Sequence, residues 1–68
     1  MNTLGNRLKQ GRQKLNLTQQ GIADLLGLNR VTFQGYEKDK HLPDVYTLAK
    51  LADILQTSTD YLLGRYDK

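Results

Sequence analysis

The side chains in this 68-residue chain with the most chemistry to offer lie between Asn29 and Lys40. Arg30 carries a planar guanidinium and Gln34 a planar carboxamide. Groups of this shape bond the edges of nucleobases in bidentate fashion, arginine with guanine O6 and N7, glutamine with adenine N6 and N7. Val31 and Thr32 add methyl groups of the kind that pack on the thymine methyl. Asn29 precedes them, and Lys38 and Lys40 follow with charges suited to phosphate. Catalytic chemistry is poorly provided for. A single His (His41), a single Glu (Glu37) and no Cys leave neither a nucleophile–base pair nor a set of metal ligands, so no enzyme activity, metal, cofactor or small-molecule ligand is expected.

Positioning these groups requires a helix, and the spacing predicts one over 30–37 with Asn29 as its N-cap. On a helical wheel Phe33, Tyr36 and Glu37 fall on one side, while Val31, Gly35 and Lys38 follow i, i+4, i+7 spacing on the other. Arg30 and Gln34 flank that outward stripe on one edge and Thr32 on the other. Gly35 costs roughly 1 kcal/mol against alanine in a helix interior. Its placement suggests that it removes a side chain where the helix would come closest to the bases. The alternative is an ordinary polar helix face.

Four further helices surround this one. The first runs about 3–15, with Leu4, Leu8, Gly11 and Leu15 on one face and Asn16 as a C-cap. The second runs about 18–26, capped by Thr18 and ended by Gly27 in a left-handed conformation. After the loop that holds Lys38, Lys40 and His41, Pro43-Asp44 opens a helix over about 44–55 whose apolar face is Leu48, Leu51, Ala52 and Leu55. Ser58 caps a last short helix, 59–63, ended by Gly64. The strand signal is negligible, so residues 1–68 read as one compact all-α domain of five helices. A domain this size buries only about 60% of its unfolded surface. Ile22, Ala23, Leu26, Leu28, Phe33 and Tyr36 around the tight turn at Gly27 give the pattern of a helix-turn-helix, whose second helix has a face free to enter the major groove.

The charge distribution fits a polyanionic partner. Residues 1–40 hold Arg7, Lys9, Arg12, Lys14, Arg30, Lys38 and Lys40 against Asp24, Glu37 and Asp39, a balance of +4; the rest holds Lys50, Arg65 and Lys68 against Asp44, Asp53, Asp60 and Asp67, a balance of −1. A solvated surface of mixed charge is the alternative. The start of the second helix is a natural phosphate site. There Gln19 can bond either a phosphate or the side chain of a base-reading residue. Lys38, Lys40 and His41 either meet the other phosphate strand or keep the loop soluble. Arg12 and Glu37 are expected to pair between the first and third helices, a role compatible with a phosphate contact by Arg12. No apolar run approaches a membrane span and no signal-peptide pattern is present. A cytoplasmic location is expected.

Leu17-Thr18-Gln19, the window from Gln19 to Lys38, Pro43-Asp44, Thr47-Leu48 and the closing Asp60-Tyr61-Leu62-Leu63-Gly64 together resemble the Xre/Cro/CI-type, phage-repressor-like regulators over about residues 4–65. The resemblance implies a lambda-repressor-like DNA-binding domain that acts on double-stranded operator DNA, usually as a homodimer on a palindrome. It implies base reading by Arg30, Val31 and Gln34, with Thr32 or Asn29 beside them, on the face where Gly35 lets the helix approach. It places phosphate contacts at Thr18, Gln19 and Lys40 and a dimer interface at Thr57, Thr59, Tyr61, Arg65 and Tyr66. Gly21, Gly35 and Leu25 depart from the family's usual pattern. Leu25 is either an isolated exposed leucine or part of an interface. The competing reading is an antitoxin-like or adaptor module that binds another protein through Leu25 and the Tyr61/Tyr66 end. The chain is either a complete small protein or the DNA-binding part of a longer repressor.

Overall fold

A computed structural model describes residues 3–65, which form five helices: α1 (Leu4–Lys14), α2 (Gln19–Leu26), α3 (Arg30–Glu37), α4 (Val45–Ile54) and α5 (Thr59–Leu63). The helices are one residue shorter at several ends than the periodicity suggests. Thr3, Thr18 and Asp44 are caps in extended conformation rather than helical residues, and Leu15 and Leu55 are C-caps.

Every helix begins the same way. The side-chain oxygens of Thr3, Thr18, Asn29, Asp44 and Ser58 each accept from the backbone N–H three residues on, which satisfies one of the donors a helix start leaves open. Every helix also ends the same way. One or two residues past each end the chain turns left-handed (Asn16, Gly27, Asp39, Gln56, Gly64), and the next N–H returns to a carbonyl five residues back. This is the Schellman motif. Asn16 therefore sits one position beyond the C-cap expected for it. The glycines at 27 and 64 were legible as stops. Asp39 and Gln56 were not, because non-glycine residues seldom adopt this conformation.

The core is Leu8, Ile22, Ala23, Leu26, Phe33, Tyr36, Leu51, Ala52, Leu55 and Leu62, with Leu4, Leu17, Leu28, Leu48 and Ile54 packed around it. Phe33 is fully buried and meets Tyr36 edge-on, with ring centroids 6.2 Å apart. α3 lies between α1 and α2; α4 packs on α2 and α5, and α5 returns to α1. The α1–α3 approach is close because residue 5 is glycine. A Cβ there would strike the Glu37 carbonyl oxygen and stand 2.8 Å from that of Tyr36. Leu15 corrects the expected apolar face of α1. It is 36% exposed, because the helix has ended and the chain is turning away from the core. Among the described residues no helix is long and apolar enough to cross a membrane.

Candidate nucleic-acid interface

The helix-turn-helix is built on the turn between α2 and α3. Gly27 adopts φ 72°, the Leu28 N–H bonds the Ala23 carbonyl, and the Asn29 side chain accepts from Thr32 N–H at 2.8 Å to start α3. Phe33, Tyr36 and Glu37 face inward and are buried. Outward, Val31 is 67% exposed, Asn29 and Arg30 are exposed, and Thr32 and Gln34 are half-buried. An exposed valine between polar neighbours is what a methyl contact with a base would need.

The expected open gap at Gly35 is not there. Gly35 is buried, and a Cβ built on it would run into His41 Cδ2 and lie 3.0 Å from Nε2. The imidazole has taken the place of the missing side chain. This was not legible from residue types and spacing, since it depends on the loop folding back over α3.

Glu37 joins three elements. Its carboxylate accepts from Arg12 Nε at 2.7 Å, from Arg12 Nη2 at 3.3 Å and from Gln19 Nε2 at 2.9 Å. Arg12 Nη1 also donates to the Leu17 carbonyl at 2.9 Å. The Arg12 and Glu37 side chains are only 12% and 4% exposed. Arg12, also assigned to a phosphate, is thus largely withdrawn into the domain. Gln19, the open alternative at the start of α2, here bonds Glu37. Thr18 beside it is exposed, its oxygen accepting from Gly21 N–H. The lock therefore fixes the N-terminal end of α2 against the C-terminal end of α3.

Asp39 contributes a second anchor that sequence reasoning missed. It stands at φ 59°, and its carboxylate accepts from Thr3 Oγ1 at 2.6 Å and from the Gly5 N–H at 2.9 Å. An N-terminal amide of α1 thereby holds the loop that carries Lys38, Lys40 and His41, all exposed. Its only sequence signal is a carboxylate next to a helix end. Asp44, at the start of α4, is held below the usual aspartate range, chiefly by the Thr47 N–H bond and then by other hydrogen bonds and the charge of Lys50. Burial raises the Tyr36 hydroxyl, and the charge of Asp44 adds to the effect.

Of the dimer candidates, Thr57 and Thr59 are half-buried, Tyr61 is 37% exposed and Arg65 is exposed. Tyr66 lies outside the described residues. Thr57 and Tyr61 border a groove of about 470 Å³ between α1 and the α4–α5 corner, where the Arg7 guanidinium lies 6.0 Å from the centre of the Tyr61 ring. Leu25 is 61% exposed. Leu42, Val45 and Tyr46, which attracted no attention in the sequence, are 79%, 77% and 81% exposed.

Residues 8–62 match the helix-turn-helix family model. The chain belongs to the helix-turn-helix family. Among its relatives, the HTH-type transcriptional regulator ImmR of Bacillus subtilis is 44% identical over 63 residues, which cover 93% of this chain and 50% of ImmR. The cryptic phage CTXphi transcriptional repressor RstR of Vibrio cholerae is 38% identical over 60 residues, 88% of this chain and 54% of RstR. The chain spans about half the length of these curated relatives. A crystal structure of the phage P22 c2 repressor in complex with a synthetic operator superimposes with a TM-score of 0.90 at 29% identity, covering 97% of this chain and all of that one. This helix-turn-helix chain therefore shares the five-helix, lambda-repressor-like fold of the P22 domain.

Proposed function

We propose that this chain is the sequence-specific, double-stranded DNA-binding unit of a cytoplasmic transcriptional repressor, acting as a homodimer on a palindromic operator with α3 in the major groove. The observation that carries this reading is the match over nearly the whole chain to the P22 c2 repressor, a protein crystallised on operator DNA. Relatives named as repressors, RstR and the P22 C2 protein, favour repression.

In this reading Arg30, Val31 and Gln34 read bases, with Asn29 and Thr32 at the helix start. Thr18 and Gln19 meet one phosphate strand at the N-terminus of α2, where the helix dipole and backbone N–H groups favour an anion. Lys38 and Lys40 meet the other, and such contacts set register without reading sequence. Arg12 serves this rim through Gln19, by holding Glu37 where it orients the Gln19 amide. Thr57, Thr59, Tyr61, Arg65 and Tyr66 form the dimer surface, which sets two α3 helices about 34 Å apart, one turn of DNA.

The test is selection of binding sites from random double-stranded DNA by the wild-type chain and by Arg30→Ala and Gln34→Ala. The expected result is a short palindrome whose preferences relax in each variant, each lost contact weakening discrimination by about 1–3 kcal/mol. Recovery of no preferred sequence by the wild type refutes the reading and favours the protein-interaction module.

A further inference from the structure

The outward face of α3 contains a side chain that does not belong to α3. Position 35 lies between Val31 and Lys38 on the stripe proposed to meet the bases, and it carries no side chain of its own. The His41 imidazole lies over it, so close that a methyl at 35 could not coexist with the ring. The loop backbone puts it there. After the left-handed turn at Asp39, the N–H groups of Lys40 and His41 both point to the Gly35 carbonyl, at 2.9 and 3.4 Å. Asp39 is itself tied to α1 through Thr3 and Gly5. The ring borders a shallow hollow of about 160 Å³ with Val31, Gln34, Lys38 and Lys40. His41 as a whole remains exposed, so the ring is seated on the helix without being enclosed.

We propose that His41 is a base-reading residue, delivered by the loop into the α3 stripe in place of a residue-35 side chain, and that it links operator binding to protons. The proposal rests on the reading of α3 as the major-groove helix. A neutral imidazole offers one N–H donor and one acceptor, and a protonated one offers two donors. Purine N7, and guanine O6 beside it, are acceptors in the major groove, so the protonated ring suits a purine edge and also adds a charge facing a polyanion. The charged groups around the hollow are Lys38, the C-cap of α3, and Lys40 from the loop; Val31, Gln34 and Gly35 are uncharged, and the nearby Asp39 carboxylate is engaged with α1. DNA phosphates brought beside the ring favour its protonated form, so binding takes up a proton. Affinity therefore falls as the pH rises.

The experiment uses the DNA site selected by the wild-type chain. Fluorescence anisotropy is measured from pH 5.5 to 8 at constant ionic strength for the wild type, His41→Ala, His41→Gln and Gly35→Ala. Wild-type affinity is expected to fall by about tenfold across that interval, the size of one hydrogen bond to a charged group. His41→Gln and His41→Ala are expected to flatten the dependence. Gly35→Ala, whose methyl expels the ring, should behave like His41→Ala while circular dichroism shows an intact helical fold. Repeating site selection with His41→Ala should lose preference at one purine position in each half-site. An unchanged motif and an unchanged pH slope in His41→Ala overturn the proposal. Gln34→Ala separates the two levels of failure. If it changes the motif while His41→Ala does not, only the role of His41 is wrong; if neither changes it, the reading of α3 is wrong as well.

Discussion

Glu37 is nearly inaccessible, yet no part of its charge is left unpaired, because Arg12 and Gln19 supply three donors between them. Removing one partner from such a buried pair is costly, since the other charge keeps its desolvation without its compensation. Arg12→Met is expected to destabilise the domain by about 3 kcal/mol, read from the midpoint of urea unfolding. Adding Glu37→Gln should recover part of the loss, because no buried charge then remains. Equal midpoints for Arg12→Met and the wild type would show that the pair contributes only orientation. The partnership was legible in the sequence, as the lone glutamate lay on the inward edge of α3 and an arginine lay beside the apolar face of α1. Gln19 as third member was open between two roles, since both use the same amide. The seat of His41 on Gly35 was not legible at all. A glycine in a helix signals that something comes close, without saying whether that is DNA or the protein's own loop.

At the scale of elements, the starts of the helices were easier to read than their ends. Thr18, Asn29 and Ser58 were recognisable caps because their short polar side chains precede helical periodicity. Asp44, beside Pro43, marks the start of α4 in the same way. The ends at Asp39 and Gln56 depend on a left-handed conformation that their residue types do not announce. Asp44 gives an element-scale prediction. Hydrogen bonds from the Thr47 N–H hold its folded pKa below the unfolded value. The unfolded chain thus binds the proton more readily, and stability rises with pH over this window. The contribution of Asp44 is fully present above the unfolded aspartate pKa of about 3.9 and is lost as pH falls through the depressed folded value. Thermal melts of the wild type and Asp44→Ala from pH 7 to 2 should show a gap in Tm that narrows in acid. A gap constant over that range would mean that the carboxylate's charge plays no part in capping α4.

At the scale of the molecule, the proposed repressor needs two copies in register with DNA. Tyr61 is suited to a test because it is partly exposed on α5 and stands against Arg7 at the edge of the α1–α5 groove. Joining two half-site contacts in one dimer raises avidity without any new DNA contact. Tyr61→Asp is therefore expected to weaken binding to a two-half-site operator by about tenfold or more, while leaving binding to an isolated half-site within about twofold. Anisotropy titrations on both DNAs check this. Parallel losses on the two would place Tyr61 outside the dimer surface. The exposed Leu42, Val45 and Tyr46 had no counterpart in the sequence reading, because short apolar stretches next to a proline look the same whether the fold covers them or leaves them bare.

By itself the sequence determined the five helices, the turn at Gly27, most of the core and the outward placement of Arg30, Val31 and Gln34 on α3. These follow from local rules, namely the 3.6-residue period, capping side chains and the left-handed tolerance of glycine. Only the tertiary structure decided that Leu15 leaves the core, that Asp39 caps a helix thirty-four residues away, that Gln19 joins the Arg12–Glu37 pair, and that His41 occupies the place of a side chain at Gly35. Each of these joins residues distant in sequence through hydrogen bonds or van der Waals contact, and such contacts exist only once the helices have packed.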